Sequence, residues 1–102
     1  MALTVVWTKT AQFDREKVFE FWNEHNGSRE YSKKLNQQIQ KKVELTKYYP
    51  EAGLSTDSKP IRFHLIDKHF KLFYRADSER IIILRFWDTR QDPDSLNIQN
   101  FV

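Results

Sequence analysis

The sequence predicts an α+β fold of two layers, with a helical hairpin covering one face of a sheet. Three observations predict it. The chain opens on a short β-branched and aromatic run, two segments of helical period follow on either side of Asn26-Gly27, and three strand-like runs separated by short turns come after residue 60. Helices that follow a strand and precede a run of strands need only one sheet face to cover, which is the two-layer solution.

Leu3-Thr-Val-Val-Trp7 reads as the first strand. Thr8 or Thr10 can cap a helix through its hydroxyl. From Ala11 to His25, the residues Val18, Phe21, Trp22 and His25 recur at helical spacing, and Phe21 and Trp22 are expected in the core. Asn26 and Gly27 both tolerate the left-handed conformation that ends helices. Ser28 can cap the second helix. There, Tyr31, Leu35, Ile39 and Val43 form one apolar stripe, while Lys33, Lys34, Gln37, Gln38, Lys41 and Lys42 fill the outside. Pro50 disfavours helical geometry at Tyr49 and closes the segment. A turn this short makes the two helices an antiparallel hairpin.

Residues 51–60 combine Gly, Ser, Thr, Asp and Pro and read as an exposed loop. The next run, Ile61 to Ile66, alternates Ile61, Phe63 and Leu65 with Arg62 and His64. A second strand runs from Phe70 to about Ala76, and Asp77-Ser78-Glu79 makes a tight turn. The third, Arg80 to Trp87, is the most apolar run and reads as a central strand. The three form an antiparallel meander. The 102 residues suit a single domain, 1–102.

Composition narrows the function. There is no cysteine, so neither disulfides nor thiolate metal sites are available, and the three histidines are scattered without metal-ligand spacing. No cofactor is implied, because Gly-rich phosphate loops and nucleophile elbows are absent. No stretch has the length of a membrane span, and no signal peptide is visible, so a cytoplasmic protein is expected. The chain carries a formal charge of +3. Between Lys59 and Arg90, eight basic residues face four acidic ones, so the strand region could meet phosphates or an acidic protein.

Trp7 and Ala11 around the end of the first strand, Tyr49-Pro-Glu-Ala-Gly53, Ile61-Arg62, Phe70-Lys-Leu-Phe-Tyr74, Ile81-Ile-Ile-Leu84 and Trp87-Asp-Thr-Arg-Gln-Asp-Pro93 occur in this order. The set resembles the RelE/ParE superfamily of plasmid-stabilisation toxins from bacterial type II toxin–antitoxin systems, over nearly the whole chain. The resemblance implies a cognate antitoxin whose extended segment wraps the toxin, as a hetero-oligomer or beside a toxin homodimer. It also implies one of two mechanisms, a metal-free endoribonuclease that cuts messenger RNA in the ribosome or a non-enzymatic inhibitor of DNA gyrase. A third reading is a detoxified member that only binds its antitoxin.

Metal-free RNA cleavage needs a base for the 2′-hydroxyl, cations on the phosphate and an acid for the leaving oxygen. Period 2 places Arg62 and His64 on one strand face. If that face lies opposite the helices, it is open to a ligand, with Lys71 across from them and Arg90 at the end of the last strand. The nuclease members carry Lys and Arg at the positions matching Arg62, His64, Lys71 and Arg90. On that match Arg62, Lys71 and Arg90 would hold the phosphate, and His64 would move the proton. A plain strand position for His64 and an ion pair of Arg62 with Asp88 or Glu79 are the structural alternatives. Tyr74 reads as packed, and His25 and His69 as structural or exposed. Nuclease members often add a C-terminal tyrosine or histidine. Here Leu96 stands a few residues after Arg90 and the sequence closes on Asn100-Phe101-Val102, which leaves the catalytic set incomplete.

Overall fold

The computed structural model describes residues 2–90. Leu96 and the Asn100–Val102 stretch lie outside the described residues. The order is β1 (Thr4–Trp7), α1 (Lys9–Asn26), α2 (Glu30–Tyr48), β2 (Leu54–Ser55), β3 (Arg62–Ile66), β4 (Phe70–Ala76) and β5 (Arg80–Asp88). The α+β expectation holds: β3, β4 and β5 form the antiparallel meander. The sheet is larger than the meander and mixed, with strand order β1-β5-β4-β3-β2. β1 pairs in parallel with β5, so the apolar β5 lies inside the sheet between β1 and β4. Strand β2, read as loop, pairs two residues with β3, Leu54 opposite Phe63 and Ser55 opposite Arg62.

Helix α1 starts as its sequence predicts. The Thr8 hydroxyl accepts from the Ala11 amide at 3.0 Å, and Gly27 ends the helix at φ 65°. Ser28 is a weaker cap than expected: Arg29 takes the N-cap place of α2 without a side-chain bond, and Ser28 reaches only the Glu30 amide at 3.5 Å. The hairpin is fastened by buried Ser32, whose hydroxyl lies 3.2 Å from the Phe19 carbonyl and 2.6 Å from Asn23 Oδ1.

The main core lies between the hairpin and the sheet. Ala11, Leu35 and Ile39 of the helices meet Ile66, Phe70, Leu72, Tyr74, Ile81, Ile83 and Phe86 of the sheet. Trp22 packs against this core, whereas Phe21 is 57 % exposed, contrary to the core position expected for it. The opposite sheet face carries a second buried cluster, Ile61, Phe73, Ile82, Leu84 and Trp87, with Phe63 against it. Strands apolar on both faces explain why β5 reads as one continuous hydrophobic run.

The turn between β3 and β4 decides which residues face the helices. Three residues, Asp67 to His69, set Ile66 opposite Phe70, and that register puts His64 opposite Leu72 and Arg62 opposite Tyr74. Paired residues share a face. Arg62 and His64 therefore point toward the helices, and the expected assignment of the two faces of β3 is reversed. The turn holds Asp67 at φ 49° and Lys68 at φ 65°, and the Asp67 amide donates to Gln38 Oε1 of α2 at 2.8 Å.

Candidate functional site

His64 is buried beneath α2. Thr46 Oγ1 lies 2.6 Å from the Lys42 carbonyl and 2.7 Å from His64 Nε2. The hydroxyl has one proton, which goes to the carbonyl, so His64 Nε2–H donates to Thr46 Oγ1. The imidazole stacks on Tyr74 with ring centres 5.2 Å apart. Burial, with Lys42 adding to it, lowers the pKa of His64 to about 4. The imidazole is thus enclosed, at 6 % exposure, and its burial favours the neutral form.

Arg62 is held by main chain. Its Nη1 donates to the Gly53 carbonyl at 2.9 Å and more weakly to that of Glu51 at 3.4 Å. It pairs with neither Asp88 nor Glu79, the partners the sequence offered. Tyr74 completes the frame, donating to the Pro50 carbonyl at 2.8 Å and accepting from the Gly53 amide at 2.9 Å. Tyr74 is packed as expected, at 1 % exposure. Burial raises its hydroxyl pKa. A cleft of about 870 Å³ opens beside Arg62, walled by Tyr48, Tyr49 and Lys59.

Lys71 projects from the other face of the sheet, between Leu65 and Trp87 in register, with its ammonium 4.5 Å from the centre of the Phe63 ring. Arg90 stands past the end of β5. Its Nε and Nη2 each lie 2.9 Å from an oxygen of Asp88, and its guanidinium lies 5.5 Å from the Trp22 ring centre. Asp88 opposite Phe70 and Arg62 opposite Tyr74 lie at opposite ends of β4. At about 3.3 Å per residue, Arg62 and Arg90 are roughly 20 Å apart along the sheet. The four residues expected to converge are thus divided between two faces and two ends. His25 and His69 are exposed, as expected.

Two polar groupings escaped the sequence reading. Asp14 of α1 binds Arg85 of β5 at 2.7 and 3.0 Å and also accepts from the Phe86 amide at 3.1 Å. The partners are 71 positions apart, so no local pattern could announce them. The Tyr31 hydroxyl donates to Asp67 Oδ2 at 2.5 Å, with Lys34 3.7 Å from the other oxygen. Burial and the bond to Asp67 push Tyr31 up to about 12, while the same bond holds Asp67 below the usual carboxylate range. Arg75, on the face of Lys71, has a buried Nε with no hydrogen-bond partner among the described residues.

Among the described residues, no three His, Cys, Asp or Glu side chains gather where they could hold a metal ion. No described helix is long and apolar enough to cross a membrane.

A mixed sheet under a helical hairpin, with cations spread over its faces, defines a small basic α+β domain. Residues 5–93 match the family model of the ParE toxin of the type II toxin–antitoxin system parDE, and the chain belongs to that family. Membership implies an antitoxin partner. The chain is similar to one in a solved structure of the chromosomal ParDE TA system from P. aeruginosa. The two share 21% identity over 87% of this chain and 98% of that one, with a TM-score of 0.73, a likeness of fold. No curated protein matches the sequence.

Proposed function

We propose that this protein is a non-catalytic toxin of the cytoplasm that arrests DNA gyrase and is silenced by a cognate antitoxin in a hetero-oligomer. The observation that carries this reading is the separation of Arg62, His64, Lys71 and Arg90. Metal-free RNA cleavage needs its base, its acid and its phosphate-binding cations within hydrogen-bond reach of one phosphate. Here the only imidazole of the set is enclosed under α2, and the guanidinium groups are engaged at opposite ends of the sheet. Inhibition by binding asks for none of these to meet. ParE family membership, together with the resemblance to gyrase-directed superfamily members, supports the same reading.

The test uses the purified protein. Added to gyrase with relaxed plasmid and ATP, it blocks supercoiling, and adding the antitoxin from the neighbouring gene restores it. In cells, induction arrests growth and leaves messenger RNA intact. Cleaved transcripts that disappear in Arg62→Ala or Arg90→Ala would return the four residues to a nuclease role. Harmless induction without antitoxin would identify a detoxified member.

A further inference from the structure

Helix α1 turns one side to the core through Ala11, Val18 and Trp22. On its other side Phe13 and Phe21 are each 57 % exposed, and Lys9, Lys17, Glu20 and Glu24 are exposed with them. At spacings of three and four positions these six form one stripe along the helix. Glu16 falls at the margin of the stripe, where its charge acts on Arg15.

The two rings are held in place by neighbours of their own chain. Phe21 stacks on His25 with ring centres 5.6 Å apart and meets Trp22 edge-on at 5.1 Å. The Lys17 ammonium lies 5.2 Å from the centre of the Phe13 ring. A single exposed apolar side chain is ordinary on a protein surface, but two large rings fixed on one stripe have the character of interface anchors. Between them opens a groove of about 630 Å³, with Val18 and Trp22 in its lining, which can take a ring from outside.

The order of charges along the stripe selects the partner. From the N-terminus it runs Lys9, Phe13, Lys17, then Glu20, Phe21, Glu24. Each half has one ring; the first half is basic and the second acidic. Reversed, the stripe is its own complement. An antiparallel copy of α1 that sets Phe13 against Phe21 of the second copy also brings Lys9 to Glu24 of that copy. The two charges stand four and three positions beyond their rings, a mismatch of about 1.5 Å along the axis. Neither Lys9 nor Glu24 has an ion-pair partner among the described residues. At the centre, Lys17 stands between its own Glu20, at 3.7 Å, and Glu20 of the second copy. A parallel copy would instead set Lys9 on Lys9 and Glu24 on Glu24, with the helix dipoles aligned against each other.

We propose that two copies of this chain associate through α1 about a twofold axis, antiparallel, with Phe13 and Phe21 as anchors and a Lys9–Glu24 pair closing each end. Such an interface is isologous and closes as a dimer. It stands apart from the gyrase reading and holds whichever target the chain has. Helix α1 has 18 residues, and one pair of helices about 27 Å long lies at the low end of interface size, so a dissociation constant on the order of 10–100 μM is expected.

Sedimentation equilibrium of the full chain alone, from about 1 μM to about 500 μM, tests it. The chain passes from monomer to dimer over that range. Phe13→Ser with Phe21→Ser weakens association about 30-fold or more, and the melting temperature of the monomer stays in place because both rings are exposed. Lys9→Glu and Glu24→Lys each weaken association about tenfold, and the two together restore it to within about threefold of the unaltered chain. A chain that stays monomeric throughout, or a dimer indifferent to the loss of both rings, would overturn the interface. A double charge exchange no better than either single one would overturn the antiparallel register.

Discussion

The two ends of β3 handle polar side chains in opposite ways. At the Arg62 end, Arg62, His64 and Tyr74 are satisfied by main-chain groups and one hydroxyl, with no carboxylate of the described residues bonded to any of them. At the Ile66 end, Tyr31, Asp67, Lys34, Asp88 and Arg90 form charged contacts open to water. The first end is a frame: it locks the 50–53 turn to the sheet and to α2. The second is a fastening of charges between the hairpin turn and the strand ends. A residue type suited to chemistry says little until burial is known. His64 is neutralised by enclosure, and Arg90 keeps its charge because Asp88 and solvent share it.

The two ends differ most in stability at the frame. His64 titrates near 6.5 when unfolded and near 4 when folded, so the folded state resists protonation. Its contribution is fully present above pH 6.5 and is lost as pH falls toward 4, a loss of about 3 kcal/mol. Urea unfolding between pH 7 and 4 measures it, and His64→Met should flatten the curve. An unchanged slope in that variant would mean that the frame tolerates a charge.

Gly53→Ala comes next. An added Cβ would stand 2.6 Å from Tyr74 Cε1 and hydroxyl and 3.0 Å from the Phe63 carbonyl. Tyr74 is fixed at both lone pair and proton and cannot withdraw, so a destabilisation of about 2–3 kcal/mol is expected in thermal unfolding. Wild-type stability would show that the turn gives way and the frame is loose.

At the charged end the effects shrink. Tyr31→Phe removes one hydrogen bond and costs about 1 kcal/mol. It also lets the Asp67 carboxyl titrate at higher pH, which carbon-detected NMR follows directly. Arg90→Gln breaks an exposed ion pair worth about 0.5 kcal/mol, and its small loss should disappear in molar salt. A larger loss for Arg90→Gln than for Gly53→Ala would invert the comparison.

The element order was legible because each helix and each long strand carries its own periodicity. Tyr31, Leu35, Ile39 and Val43 mark one side of α2 whatever the helix packs on. Strand β2 was not legible: Leu54-Ser55 is too short to show a period and sits among Gly, Thr, Asp and Pro. It is a strand only because β3 offers it an edge. The face of Arg62 and His64 was misassigned because β3 is apolar on one set of positions and β4 on both, so alternation alone admits two answers. The three-residue turn at Asp67 breaks the tie by setting Ile66 against Phe70.

Sequence by itself determined the two-layer class, the helical hairpin with its Thr8 and Gly27 ends, the β3–β5 meander and the packed place of Tyr74. These follow from local propensity and period, which operate within a few residues. Tertiary structure alone decided that His64 is enclosed, that Arg62 serves a turn, that Asp14 meets Arg85 and that β5 outruns β1. Each of these depends on strand register or on partners far apart in the chain, and the free energy of such contacts is set by burial, which no local pattern encodes.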